Sequence, residues 1–203
     1  MDERDTQFNE LKEFYNVCTN CSQLSENRTQ VVFGDGNPLS KILFIGEAPG
    51  AKEDINGIPF CGASGKVLTE LLGSVNLTRK DIFITNTVLC RPPNNRNPKK
   101  EEMDHCGDRL TKLIHVMQPK VIVTIGNFAT QRILGKTGIT TIRGKQFNKR
   151  IADNDVVVVP VVHPASYLYS GRNPEMFKRM SEDFQTIANV IKGKKQQESL
   201  TDY

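Results

Sequence analysis

Tryptophan is absent from the 203-residue chain, and aromatic residues make up only 7% of it, which leaves few rings for stacking. No apolar run approaches the roughly 18 residues of a membrane-spanning helix. The opening Met1-Asp2-Glu3-Arg4-Asp5 is too charged for a secretory signal, so an intracellular protein with no membrane partner is expected. Two nucleotide-binding loops are also missing. Gly46-Glu47-Ala48-Pro49-Gly50 is not G-x-G-x-x-G. Gly65-Lys66 matches the end of a P-loop, but Phe60 stands where its first Gly belongs and Val67 where Ser or Thr would meet magnesium.

What is present reads as one globular domain. Hydrophobic residues make up 37% and charged residues 25%, and the length suffices for one sizeable core. The net charge of +4 is compatible with a polyanionic partner but does not demand one, since part of it sits in Lys192, Lys194 and Lys195. Five cysteines in an intracellular chain point to ligands, redox groups or core residues rather than disulfides.

Hydrophobic periodicity predicts a helix over 5–17, carrying Phe8, Leu11, Phe14 and Tyr15, and a short strand over 30–33. Strands follow at 41–45, 81–88, 120–126 and 156–162. The last is apolar almost throughout, as buried parallel strands are. Between them lie helices from Ser64 to Val75, from Pro98 (capped by Asn97) to Met117, over 127–134, and from Asn173-Pro174 to Ile191. The alternation predicts a three-layer α/β/α domain over 1–192 with a central four-stranded, mainly parallel sheet. Residues 193–203 read as a disordered polar tail.

Two irregular stretches interrupt this pattern. Residues 46–65 hold five Gly, two Pro and three acidic side chains after a buried strand. Residues 91–98, RPPNNRNP, follow the second strand. Loops of this kind at the carboxyl ends of strands usually carry function. Cys18 and Cys21 form a C-x2-C pair, with Cys90 and Cys106 far along the chain. Two local and two distant thiols suit a four-thiolate site, and spacing leaves zinc and iron–sulfur equally open. Cys106 also fits simple packing on an apolar helix face. His105 should point elsewhere on that helix.

Taken in order, Cys18-x2-Cys21, GEAPGAKED at 46–54, Gly57-Ile58-Pro59-Phe60, ITNTVLCRPPNNRNP at 84–98, Cys106 and HPASYL at 163–168 resemble the uracil-DNA glycosylase superfamily. The match is to its family 4, the iron–sulfur-containing enzymes, and runs from about Phe14 to the last helix. The resemblance implies a [4Fe–4S] cluster on Cys18, Cys21, Cys90 and Cys106. It implies a monofunctional DNA N-glycosylase that frees uracil from single- or double-stranded DNA, leaves an abasic site and so starts base-excision repair. A monomer is expected, cytoplasmic and nucleoid-associated in a prokaryote.

By the same resemblance, Phe60 stacks on uracil, Asn86 reads its Watson–Crick edge, and His163 donates to O2 as charge grows there. Gly46, Ala48 and Gly50 let the backbone approach the flipped nucleotide. Ala48 stands where the best-known members carry a catalytic Asp, so the carboxylate role passes to Glu47, with Glu53 positioning water or holding the loop. Gly50 stands where others carry a thymine-excluding Tyr, which shifts that role to Glu53 or Cys61. Tyr167 or Leu168 would wedge into the duplex, and Arg91, Arg143, Lys145 and Arg172 would meet phosphates. Two other classes stay open on the residues alone: a non-enzymatic or covalent uracil-DNA-binding module on the same fold, and a metal-stabilised interaction protein.

Overall fold

The computed structural model describes residues 3–193. The tail expected at 193–203 therefore lies, apart from Gly193, outside the described residues. Six strands form one sheet: β1 (Asp35–Gly36), β2 (Ile42–Gly46), β3 (Phe83–Asn86), β4 (Val121–Ile125), β5 (Phe147–Ile151) and β6 (Asn154–Val161). Their spatial order is β1-β3-β2-β4-β6-β5. The four inner strands pair in parallel and are the four the sequence predicts. β1 and β5 add antiparallel edges.

Both additions are legible only after folding. β1 has two residues and no periodicity to read. β5 is FNKRI, with exposed Lys149 and Arg150, a charged edge of the kind that discourages further strand addition. The predicted strand at 30–33 is extended but outside the sheet, attached where the Val32 N–H donates to the Leu89 carbonyl.

Alternate residues of the inner strands feed two cores. On one face, Leu43, Ile45 and Ile122 meet α1 (Glu3–Asn16), α2 (Ser22–Asn27) and the helical pair α5 (Lys100–His105) and α6 (Gly107–Met117). On the other, Ile42, Phe44, Ile84 and Val123 meet α4 (Ala63–Gly73) and α10 (Pro174–Ile191). The remaining helices, α3 (Ala51–Asn56), α7 (Gly126–Leu134), α8 (Ile139–Ile142) and α9 (Ala165–Tyr169), are short and sit at strand ends.

Of the three expected helix caps, two differ from expectation. Asn173 does cap α10, accepting from the Glu175 N–H at 2.9 Å. Asn97 does not cap the helix after it. That helix begins at Lys100, where the Glu102 carboxylate accepts from the Lys99 N–H at 2.7 Å. The helix then breaks at Cys106, giving α5 and α6 rather than one element. Ser64 lies inside α4, and Gly62 takes the cap position. Much of the predicted loop at 46–65 is helix α3, made of ordinary helix formers and hidden from periodicity by its Gly and Pro neighbours.

Candidate active site

A cleft of about 640 Å³ opens at the carboxyl ends of β2, β3 and β6. This is where open α/β sheets bind ligands. Glu47, Ala48, Pro49 and Gly50 leave β2, Asn86 ends β3, and His163 follows β6. Glu53 and Phe60 line the same space. These residues are scattered over 117 positions (163 − 46) and meet only through the parallel register.

Gly46 is the pivot. A Cβ there would lie 2.4 Å from Asn86 Oδ1 and 2.8 Å from the Phe60 ring, so both side chains fold over a bare backbone. Phe60 adopts the left-handed φ of +53°, uncommon for a bulky residue. Its carbonyl and that of Pro59 accept from the Arg79 guanidinium at 3.1 and 2.7 Å, and Arg79 pairs with Asp35. A Cβ on Gly65 would fall 1.6 Å from the Phe60 carbonyl oxygen, so only glycine lets α4 start under this turn. The Phe60 and His163 rings lie nearly parallel, at 29°, with centroids 5.8 Å apart.

His163 Nδ1 accepts from the Ala165 N–H at 3.1 Å. In the neutral ring this leaves the proton on Nε2. Burial lowers the His163 pKa below its ordinary 6.5, partly opposed by Glu53. The ring is therefore a neutral donor at pH 7. Asn86 is 2% exposed; its side-chain amide makes no hydrogen bond among the described residues, and the little exposure it keeps is at the cleft it lines. Glu47 has no side-chain partner among them either, and burial raises its pKa above 4.5.

Glu53 is engaged: its Oε1 accepts from the Gly62 N–H at 3.1 Å, and its carboxylate packs against Gly50 and Gly62, the start positions of α3 and α4. Cys61 does not line the cleft; the Asn56 amide approaches its sulfur at 3.8 Å. The opposite rim is the 92–97 turn, with left-handed Asn94 and Asn95. Arg96 braces it by two hydrogen bonds to Glu102 at 2.6 and 2.9 Å and one to Gln23 at 3.1 Å.

Several expected DNA contacts are placed otherwise. Tyr167 packs on Phe177 at 5.3 Å, and Leu168 lies against the α10-side core, both partly buried. The exposed ring of this helix is Tyr169, 89% exposed at the cleft mouth. A one-turn helix puts adjacent Tyr167 and Leu168 on its inner face and Tyr169 on its outer one, which HPASYL alone does not reveal. Arg143 is engaged by Asp183 at 2.9 Å and by the Arg179 carbonyl, which removes it as a free phosphate contact. Arg91 donates to Asn95 Oδ1 at 2.8 Å, behind the rim. Arg172 is exposed, with a φ of +61°. Sequence reasoning missed Ser64, Asn95, Arg96, Asn97, Ser166 and Tyr169 as cleft residues. The polarity of RPPNNRNP was a signal for Asn95, Arg96 and Asn97; Ser64, Ser166 and Tyr169 had none.

Behind that rim, Cys18, Cys21, Cys90 and Cys106 line one small pocket, all as free thiols. Burial pushes the Cys21 thiol up to about 12, and Cys106, Cys90 and Cys18 add to the effect, so the four share one electrostatic environment. Arg28 donates to Cys90 Sγ at 3.0 Å. His105 Nδ1 lies 3.4 Å from Cys21 Sγ, because the break at Cys106 turns α5 towards the pocket, contrary to expectation. Among the described residues no three such side chains close on a point that would hold a single metal ion. One zinc would need its sulfurs at about 2.3 Å, whereas a cluster of several irons spreads its thiolates wider. The donor set and the cationic surroundings fit such a cluster.

A doubly wound sheet thus gathers an unpartnered Asn amide, a neutral His donor and a Phe ring in one cleft at its strand ends. Residues 33–185 match the family model of the Uracil DNA glycosylase superfamily, and the chain belongs to that superfamily. It is 42% identical to the type-4 uracil-DNA glycosylase of Archaeoglobus fulgidus over 92% of this chain and 93% of that protein. Identity is again 42% with the type-4 enzyme of Sulfurisphaera tokodaii, over 89% of this chain and 83% of that one. The type-4 enzyme of Thermotoga maritima is 41% identical over 86% and 90%.

Proposed function

We propose that the cleft binds a uracil flipped out of DNA and that the protein is a uracil-DNA glycosylase, hydrolysing the N-glycosidic bond of deoxyuridine and leaving an abasic site. The observation that carries this is the unpartnered Asn86 amide in the cleft wall, beside Phe60 and the neutral His163. Uracil presents an acceptor and an N–H donor on its Watson–Crick edge. One amide satisfies both, and the base recovers in the pocket what it loses on leaving the stack. Phe60 supplies the stacking face. His163 Nε2–H stabilises the charge that develops on the departing base.

Glu47 faces the sugar and offsets its growing positive charge, its carboxylate unclaimed by any internal donor. Glu53 holds Gly50 and Gly62 in place and with them the cleft wall. Tyr169 and Arg172 contact DNA at the cleft mouth. A [4Fe–4S] cluster on Cys18, Cys21, Cys90 and Cys106 supplies structural cross-linking, fastening α1 and α2 to the segment that leads into the 92–97 rim. The protein acts as a monomer wherever the cell keeps its DNA. Among the described residues no helix is long and apolar enough to cross a membrane.

The test is an oligonucleotide with one deoxyuridine, treated with protein and then alkali. Strand cleavage at that position is expected for single- and double-stranded substrates, and none with either would sink the reading. Purified protein is expected to carry about four irons per chain; one zinc per chain would overturn the cluster assignment.

Two variants probe the wall. Gly46→Ala should push Asn86 and Phe60 apart, lowering kcat/KM about 10²-fold and stability by about 1–3 kcal/mol. Uracil-release kinetics and urea unfolding measure these, and an unimpaired enzyme would contradict the geometry. Glu47→Gln should lower kcat about tenfold or more, with little change in KM. Because the folded pKa of Glu47 is raised, its contribution to stability is present below 4.5 and lost as pH rises through the raised value. The glutamine variant therefore avoids a cost at neutral pH and should melt at or above the parent temperature. A lower melting temperature would show that Glu47 is structural instead.

A further inference from the structure

Arg109 is the largest fully buried side chain in the protein. It lies on α6, three residues after Cys106. Its guanidinium donates to Thr85 Oγ1 at 3.1 Å, to the Asn86 carbonyl at 2.5 Å and to the Thr87 carbonyl at 3.4 Å. All three acceptors are neutral. No carboxylate pairs with Arg109 among the described residues, and its Nε has no acceptor. A lone buried cation is strongly disfavoured unless an anion compensates it. Cys106 stands one helical turn before it at the start of α6, and Cys106 and Cys90, which line the cluster pocket, favour its charged form when they are thiolates.

We propose that Arg109 is a positioning residue that couples the cluster to uracil recognition. It is the counter-ion of the thiolate-ligated cluster, and with the same guanidinium it clamps the carbonyl of Asn86, the residue that reads the base. A thiolate-ligated cluster carries net negative charge, and charge and hydrogen bonding around the sulfurs are levers on its properties. With the cluster in place, the cation is compensated and the end of β3 is fixed. Without it, the guanidinium is left uncompensated, and its clamp on the Asn86 backbone weakens. The cluster thus tunes base binding across the sheet without touching the base.

The inference rests on the uracil reading, so the parent protein's activity on the deoxyuridine oligonucleotide is the first control. If that fails, the functional reading falls before the coupling is reached. Two variants then separate charge from clamp. Arg109→Lys keeps the charge but loses the planar fork that reaches Thr85 and Asn86 together. Its cluster half-life in excess chelator, followed by visible absorption, should stay within about twofold of the parent. KM for the oligonucleotide and the inhibition constant of free uracil should each rise about tenfold, with kcat changing less. Arg109→Gln loses the charge and should shorten the cluster half-life about tenfold or more, with the same loss of uracil binding.

A glutamine variant with parental cluster half-life would overturn the counter-ion role. A lysine variant with parental uracil inhibition would overturn the clamp. If the glutamine variant fails to fold, the lysine variant alone decides, through its split between cluster retention and uracil binding. Failure of both to fold would reduce Arg109 to a core residue and overturn the coupling.

Discussion

Replacing His163 by alanine is expected to lower kcat by about 10²–10³-fold, equivalent to roughly 3–4 kcal/mol of transition-state stabilisation. The argument is geometric before it is electrostatic. The Ala165 N–H occupies Nδ1 at 3.1 Å, so a neutral His163 must carry its proton on Nε2. The ring lines the cleft beside Phe60. A donor fixed in advance, in a site shielded from water, stabilises developing charge without reorganising during the reaction. The ground-state base carries no full charge, so the loss should fall on kcat more than on KM. Single-turnover uracil release measures it, and a variant within threefold of the parent would exclude the role.

The pH dependence follows with a definite sign. Burial lowers the folded pKa of His163 below 6.5, so its neutral form contributes stability above 6.5 that is lost as pH falls through the lowered value. Protonation would also put a second donor against the Ala165 N–H. Activity should therefore show no His163 limb at or above pH 6.5.

Asn86→Ala is the second large effect, a fall in kcat/KM of about 10³-fold, or roughly 4 kcal/mol. A site built to satisfy a ligand's polar edge rejects mismatches strongly, because the unmatched groups stay buried and unpaired. Stability should respond far less. The amide has no internal partner among the described residues and lies at the cleft, so its removal breaks no hydrogen bond of the fold, and the melting temperature should change little. Asn86→Asp should go further. A carboxylate repels the uracil acceptor but accepts from the exocyclic amine of cytosine, so the uracil-to-cytosine preference should fall by orders of magnitude. Competitive assays on paired oligonucleotides read this ratio. An unchanged ratio in the aspartate variant would remove Asn86 from base recognition.

The two predictions differ in how visible their residues are in the chain. His163 and Asn86 both end buried strands whose apolar runs are plain in the sequence, and a polar residue at such a point must face a ligand or a turn. Glu53 is different. Its acidity suggests chemistry, but its carboxylate holds two glycine caps together, an arrangement that exists only once α3 and α4 have folded. Arg109 is the extreme case. On an amphipathic helix it reads as a surface charge, yet it is wholly buried under β3.

By itself, the sequence determined the parallel sheet, the strand-end loops, the four thiols and the polar and aromatic residues that meet in the cleft. Periodicity and local turn chemistry are short-range properties, and they survive in one dimension. Only the tertiary structure decided which charges are free. It turned Tyr167 inward and left Tyr169 outward, engaged Arg143 with Asp183, brought His105 to Cys21, and set a buried Arg109 against the end of β3. Pairing, burial and desolvation depend on neighbours distant in sequence, and no local pattern encodes them.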